Sequence, residues 1–158
     1  MQKITPFLWF DGRAGEAARF YASIFKRSKI ESITPMSAIF SLDGVKFYAL
    51  NGGPQFKFNE AISFFISCDT QKEIDYFWEK LAAGGAKSRC GWLKDKFGVS
   101  WQVVPPILGE FLNDKDEEKS QRVMQAMLKM RKLDIKKLKR AYQGDGKSKQ
   151  PKQRRKKA

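Results

Sequence analysis

A pattern of one strand, one helix and further strands occurs twice in the chain, over about residues 1–53 and 60–105. The two copies agree in pattern rather than in residues. Each contains a short apolar strand followed by apolar residues at helical spacing. A helix and a sheet each bury one apolar face against the other. The repeat therefore predicts an α+β protein built from two similar modules.

The first copy carries the clearest hairpin signal of the chain. Asp43-Gly44 separates two apolar stretches, Ser37–Leu42 and Val45–Asn51. This pair favours a two-residue hairpin turn because both positions of a type I′ turn require positive φ. We therefore predict two antiparallel strands at these positions.

The second copy begins with the alternating segment Ala61–Cys68, which is typical of a strand with two unlike faces. Thr70 and Glu73 have the spacing of a capping box, which predicts the start of a helix. Gly84-Gly85 are predicted to end that helix. Further strands are predicted near Lys87–Trp92 and Val99–Val104.

The rest of the chain is predicted to be helical. Ile107–Leu112 fits one short turn, Asp114 is expected to cap a helix that runs to about Met130, and Asp134 is expected to cap a last helix over Ile135–Tyr142. We therefore divide the chain into a two-module domain over 1–106, with modules at about 1–58 and 59–106, and a helical extension over 107–143. Residues 144–158 are predicted to form a disordered basic tail.

The formal net charge of +14 belongs mostly to the C-terminal end. Residues 130–158 contain 13 Lys and Arg against two Asp, whereas residues 1–129 are close to neutral. A basic tail attracts phosphates without reading sequence. It contains no aromatic residues for stacking on bases. We expect weak, non-specific contact with polyanions through this tail.

The two cysteines, Cys68 and Cys90, lie too far apart for a zinc-knuckle spacing or a disulfide framework. No leader-like apolar segment and no run long enough to span a bilayer is found. We therefore expect a cytoplasmic protein with free thiols and no membrane partner.

Five stretches resemble a known family. They are Asp95–Gln102, Thr5–Phe10, Ala17–Tyr21, Ala49–Pro54 and Phe56–Ser63. Together they are similar to the PhnB-like branch of the vicinal oxygen chelate superfamily, which includes glyoxalase I, bleomycin-resistance proteins and extradiol dioxygenases. Members of this branch are often labelled 3-demethylubiquinone-9 3-methyltransferase.

The resemblance implies paired βαβββ modules that form an open, cup-shaped mixed sheet, followed here by C-terminal helices. It also implies a homodimer, in which chains pair edge to edge. The chain departs from the family in one place, because only Ser28–Leu42 separate the first helix from the Asp43-Gly44 turn. Either this loop is short, or a stretch around Thr34–Met36 is missing from the sequence as read.

Catalysts of the superfamily place His, Glu or Gln from facing strands around one divalent ion. This chain has no His, and Gln102 stands where the fold often carries a metal-binding Glu. None of the matching positions is anionic, so we expect no metal. We expect no other cofactor either, since no glycine-rich loop suited to S-adenosylmethionine follows a strand. The matching positions are Pro6/Phe7, Asn51, Ile62/Ser63 and Gln102.

The cup is instead expected to be lined by aromatic and amide side chains, a composition typical of small-molecule sites. The same aromatic residues could be core residues, and the two Asn could bind the backbone of a turn. No catalytic residue is assigned, because Cys90 and Asp95 have simpler structural interpretations. The predicted ligand-binding residues are Trp9, Asn51, Phe58, Asn59, Trp92, Trp101 and Gln102.

Three hypotheses follow. The first is a metal-independent small-molecule binding protein with an unknown ligand. The second is an enzyme of the same superfamily with an unidentified substrate and no S-adenosylmethionine site. The third is a nucleic-acid-associated protein that acts through its basic tail.

Overall fold

A computed structural model describes residues 2–144. No helix within this range is long and apolar enough to cross a membrane. Thirteen helices and strands follow one another in the described range. They are β1 (Phe7–Phe10), α1 (Ala14–Ile24), β2 (Ser28–Ile33), β3 (Ser37–Leu42), β4 (Val45–Asn51), β5 (Ser63–Ser67), α2 (Gln71–Leu81), β6 (Ala86–Lys87), β7 (Trp92–Lys94), β8 (Ser100–Val104), α3 (Pro106–Leu112), α4 (Glu117–Leu128) and α5 (Ile135–Gln143).

The strands form two open four-stranded sheets, which we call the first and the second sheet, with the orders β1-β4-β3-β2 and β5-β8-β7-β6. β1 pairs in parallel with β4 in the first sheet, and β5 pairs in parallel with β8 in the second. The other neighbouring strands pair antiparallel. Neither sheet closes into a barrel. The predicted α+β architecture of two βαβββ modules followed by helices is confirmed.

The local signals that predicted the first sheet and the second helix are found in the structure. Asp43 and Gly44 have φ values of 48° and 85°, as a type I′ turn requires. The Thr70 hydroxyl accepts a hydrogen bond from the Glu73 amide, and the Glu73 side chain accepts one from the Thr70 amide. The short β2–β3 connection is a tight turn in which the Thr34 amide donates to the Ser37 carbonyl at 2.8 Å.

Helices α1 and α2 each cover one face of a sheet. The face of α1 that contacts the first sheet is formed by Ala14, Ala17 and Ala18, whose small side chains allow a close approach. α2 places Ile74, Trp78 and Leu81 in the core. The two helix-covered faces meet, because Tyr21 of α1 contacts Trp101 of β8 at 5.4 Å between ring centroids. A single core therefore serves both modules.

A buried carboxylate lies at the centre of this junction. Asp95, in the turn between β7 and β8, is only 3% exposed. Its Oδ2 accepts hydrogen bonds from the Tyr21 hydroxyl at 2.7 Å and from the Trp101 indole at 2.8 Å. Its Oδ1 accepts from the amides of Phe97 and Val99 at 2.8 and 3.1 Å. Burial raises the pKa of Asp95, although all four donors act in the opposite direction.

The three C-terminal helices form a second apolar cluster against the end of β8. The segment between α4 and α5 is joined to the β6–β7 loop, since the Cys90 and Gly91 amides donate to the Met130 and Arg131 carbonyls at 2.9 and 2.8 Å. The helices are therefore fixed to the second module by backbone as well as by apolar contacts. The buried residues of this cluster are Val104, Leu108, Val123, Met130, Leu133 and Leu138.

Two predicted boundaries differ from the structure. The strand expected near Lys87–Trp92 is two short strands, β6 and β7, because Cys90 and Gly91 adopt positive φ between them. The helix expected to start after Asp114 starts after Asp116, whose carboxylate accepts from the Lys119 amide. Of the predicted basic tail, only Gly144 is described, and it ends α5 with a φ of 84°; residues 145–158 lie outside the described range.

We expect Asp95→Ala to lower the free energy of unfolding by about 3 kcal/mol or more, because it leaves four buried donors without an acceptor. Tyr21→Phe removes one of these donors and should cost about 1 kcal/mol. Urea titration measures both changes. Tyr48→Phe, at a partly exposed tyrosine of β4, is the control. A loss for Tyr48→Phe as large as that for Tyr21→Phe would contradict this role of Asp95.

Candidate functional site

Each sheet has an open face, which we define as the face opposite its covering helix. Because side chains alternate along a strand, residues two apart share a face. The open face of the first sheet carries the row Phe7, Tyr48 and Ile39 and the row Trp9, Leu50 and Ser37. The open face of the second sheet carries the row Phe65, Gln102 and Trp92 and the row Ser63, Ser100 and Lys94.

The open face of the second sheet brings together an indole ring and an amide. Trp92 and Gln102 are direct register partners on β7 and β8, and both are half-buried. The Gln102 amide nitrogen donates to the Ser63 hydroxyl at 2.8 Å. This bond orients the amide and leaves the Gln102 carbonyl oxygen available as an acceptor. Phe65 lies on the other side of Gln102 and is 59% exposed.

A groove of about 650 Å³ runs along this side of the second sheet, next to β6, β7 and the loop between them. Trp92, Lys94 and Ser100 line it, and Lys94 forms an ion pair with Glu60 at 2.5 Å. This pair lowers the pKa of the Glu60 carboxyl. The Ser100 hydroxyl is buried and is the one buried side-chain polar atom without a hydrogen-bond partner within residues 2–144. A buried hydroxyl without a hydrogen-bond partner therefore lies beside the groove.

Trp9 lies on the open face of the first sheet, not with Trp92. Its indole nitrogen donates to the Gly53 carbonyl at 2.8 Å, and its ring meets Phe56 edge-on at 5.0 Å. The ring lies directly over Gly52, where an added Cβ would come within 2.2 Å of it. The Gly52-Gly53 pair is thus accounted for by the packing of Trp9.

Asn51 has a structural role at the end of β4. Its side-chain oxygen accepts from the Ala14 amide at the start of α1, at 2.8 Å. Its side-chain nitrogen donates to the Pro35 carbonyl at 2.9 Å. Both ends of the amide are therefore engaged by the protein.

Trp101, Phe58 and Asn59 also lie away from the groove. Trp101 is 3% exposed on the helix-covered face, where its indole binds Asp95. Phe58 packs edge-on against Phe10 of the core at 5.3 Å. The Asn59 oxygen accepts from the Ala61 amide two residues ahead, which is a local turn.

The seven predicted ligand-binding residues therefore do not line one pocket. Only Trp92 and Gln102 share a surface. Strand alternation could have separated Trp101 from Gln102, because consecutive residues of a strand point to opposite faces. The sequence reasoning missed groove residues that only strand pairing identifies. These are Glu60, Lys94 and Ser100 in the groove, with Ser63 and Phe65 beside Gln102.

The side chains present do not fit a catalytic metal. Within residues 2–144 no group of three or more His, Cys, Asp or Glu side chains could hold an ion. The Glu60 carboxylate, which lines the groove, is paired with Lys94. Amide and hydroxyl groups alone are weak ligands for zinc or iron.

Nor do the glycine pairs resemble a cofactor-binding loop. Gly52-Gly53 packs under Trp9, as described above. Gly85 faces the Lys94 carbonyl oxygen, which would lie 2.1 Å from an added Cβ. Both pairs allow close contacts within the protein.

A family model described as 3-demethylubiquinone-9 3-methyltransferase matches residues 2–104. The chain belongs to this family. It falls within the PhnB-like branch of the vicinal oxygen chelate superfamily, as the resemblance predicted. No functionally curated protein matches the sequence.

Two solved structures are similar to this chain. A PhnB protein from Bacillus cereus is 38% identical, with a TM-score of 0.62, and the match covers 66% of this chain and 99% of that one. The protein PA1353 from Pseudomonas aeruginosa shares the fold at 21% identity and a TM-score of 0.55, over 66% of this chain and 98% of that one. About a third of this chain has no counterpart in either protein.

The two thiols should differ sharply in reactivity. Burial, with Glu73 and Asp69 nearby, raises the pKa of Cys68 to about 12, whereas Cys90 is half-buried in the groove. At about pH 8 we expect iodoacetamide to alkylate Cys90 at least ~100-fold faster than Cys68. Iodoacetamide reacts with the thiolate form, which is scarce for Cys68 because its pKa is raised. Peptide mass spectrometry measures both rates. Both cysteines should react alike in concentrated guanidinium chloride, and equal rates in the folded protein would contradict the structure.

Proposed function

We propose that the protein binds a small aromatic molecule on the open face of the second sheet. The observation that carries this proposal is the register pairing of Trp92 with Gln102 beside a groove of about 650 Å³. The indole offers a face for stacking, and the amide oxygen offers an acceptor. A few polar groups among apolar walls are typical of small-molecule sites.

The neighbouring polar side chains would select the ligand. The Ser100 hydroxyl has no partner within the described chain, and a buried polar atom gains most from a hydrogen bond. The Lys94–Glu60 pair borders the same groove and could reorganise around a polar substituent. A planar ring that carries one donor and one acceptor satisfies this set of groups.

Binding without chemistry is the function that these groups support best. The family description names a methyltransferase, but the Glu60 carboxylate of the groove is paired with Lys94, and both glycine pairs make close contacts within the protein. The alternative is an enzyme of this superfamily with an unidentified substrate, and turnover of a bound compound would favour it.

We also propose a domain organisation and a cellular location for the chain. Residues 1–106 form the binding domain in two modules, and 107–143 form an extension fixed to the second module. Cys68 and Cys90 are not joined by a disulfide, and we include a cytoplasmic location in the proposal because such thiols are typical of a reducing compartment.

We also propose that the protein is a homodimer. Large apolar side chains are exposed on both open faces, with Phe7 at 61%, Tyr48 at 36% and Phe65 at 59%. Exposed apolar clusters of this kind mark interaction surfaces. Pairing of two copies would cover these side chains.

A thermal-shift screen of planar aromatic amides and ketones tests the binding site. A compound present at about 100 times its Kd should raise the Tm by roughly 5–10 °C. Trp92→Ala should weaken such a compound at least ~10-fold through lost stacking. Gln102→Ala should weaken it roughly 3–10-fold through one lost hydrogen bond.

Tyr48→Ala, on the open face of the first sheet, is the matched control and should leave the affinity unchanged. The Tm of each variant without compound is measured first, so that a change in folding is separated from a change in binding. The site is wrong if hits bind Trp92→Ala and the wild type equally well. A screen without any hit would count against the function itself.

Light scattering after size exclusion tests the dimer. The wild type should have twice the 18.2 kDa mass of the chain. Phe7→Glu should shift it toward the single-chain mass, because a charge at an apolar interface is costly. Leu128→Glu, at an α4 residue that is 49% exposed, is the control and should remain dimeric. A wild type with the single-chain mass at every concentration would refute the dimer.

A further inference from the structure

Helix α5 presents four positive side chains on one surface. Lys136, Lys137, Lys139 and Arg140 are all exposed, and at 100° per residue they span about half of the helix circumference. None of them forms an ion pair with a carboxylate in the described range. Lys139 borders a shallow groove that also contains Asp69 and Glu110, but it pairs with neither. We call these four side chains the α5 basic face.

The α5 basic face is held rigidly at both ends of the helix. At the start, the Asp134 carboxylate accepts from the Lys137 amide, and the Ile135 amide donates to the Gln71 side chain of α2 at 3.0 Å. At the end, the Arg122 guanidinium donates to the Ala141 and Tyr142 carbonyls at 3.0 and 2.9 Å.

Apolar packing fixes the opposite side of α5. Leu138 is fully buried, and the Tyr142 ring stacks on Phe111 at 4.0 Å. The Tyr142 hydroxyl also donates to the Asp114 carboxylate at 2.5 Å. The positive charges therefore lie on an ordered helix whose orientation is set by its neighbours.

This arrangement is electrostatically unfavourable for the isolated chain. Lys136 and Lys137 lie in the first turn of α5, where the helix dipole favours negative charge, and they are offset there only by the Asp134 carboxylate at the N-cap. Lys136 and Arg140 are also like charges four residues apart, which repel. By contrast, α4 begins with Glu117 and Glu118. A negatively charged partner would remove the conflict in α5.

The match to the family model does not include this helix. The family model ends at residue 104, and the Bacillus cereus PhnB protein is covered over 99% of its length by only 66% of this chain. α5 lies in the added part. A role for it is therefore separate from ligand binding at Trp92.

We propose that the α5 basic face is a binding surface for the phosphate backbone of double-stranded nucleic acid. α5 is about 13 Å long, and a duplex carries one charge per roughly 1.7 Å of its axis. The four cations lie between residues 136 and 140, about 6 Å along the helix axis, and this density of positive charge is similar to the density of phosphate charge along a duplex. No aromatic side chain lies among the four, so binding is independent of base sequence. This surface is distinct from the basic residues after Gly144.

Fluorescence anisotropy of a labelled short DNA duplex tests the proposal, with the full chain and KCl between about 50 and 200 mM. The variant K136Q/K137Q/K139Q/R140Q should bind at least ~10-fold more weakly at the lower salt concentration. Its slope of log K against log salt should be smaller by about 3 to 4, because each phosphate contact contributes about one unit. The variant K136R/K137R/K139R keeps the charges and should bind like the wild type.

Two controls separate this surface from bulk charge and from the chain end. K26Q/K29Q/K57Q/K80Q removes four exposed positive charges from the two modules and should change affinity less than about 2-fold. A second control replaces the basic residues of 147–157 with Gln in the full chain. The α5 variant should lose affinity in this background as well. Circular dichroism and the Tm confirm that every variant is folded.

Four results would overturn the proposal. The first is that the wild type does not bind the duplex, and the second is that the α5 variant binds as well as the wild type. The third is that K26Q/K29Q/K57Q/K80Q loses as much affinity as the α5 variant. The fourth is preference for phosphatidylserine vesicles over the duplex, which would assign the surface to a membrane.

Discussion

The structure depends on one buried carboxylate. Asp95 joins the closing turn of the second module to Tyr21 of α1 and Trp101 of β8, and thereby holds two modules around one core. Burial raises its pKa above the ordinary 3.8, so folding favours the protonated form. The unfolding free energy therefore decreases as the pH rises from the unfolded pKa through the higher folded value. The four donors limit this loss, because each stabilises the ionised form.

This junction also determines which faces of the two sheets remain open. Since both helix-covered faces meet at Asp95, Tyr21 and Trp101, the open faces are left free of the core. The first open face is largely apolar, whereas the second combines Trp92 with Gln102, Ser63 and Ser100. The proposed ligand site therefore lies on the second open face. The first has the chemistry of a contact surface.

Local signals predicted the fold well and the site poorly. Asp43-Gly44 and the Thr70–Glu73 capping box act within a few residues, so the sequence alone shows them. The resemblance to the family predicted two successive βαβββ modules, and the structure confirms them. The Asn51 side chain is held by Ala14, 37 residues away in the sequence. The Trp101 side chain is held by Asp95, 6 residues away. Strand alternation alone could have placed Trp101 and Gln102 on opposite faces. The structural role of Asn51 could be recognised only from the tertiary structure.

The β6–β7 loop connects the C-terminal helices to the second module. Cys90 and Gly91 adopt positive φ, which is costly for Cys90, and their amides bond to Met130 and Arg131. The same loop lines the groove next to Trp92. The extension therefore shapes one wall of the candidate site while it also orients α5. Because the two features share this anchor, a change in the α4–α5 connection can alter both, even though Trp92 and the α5 basic face lie on different surfaces.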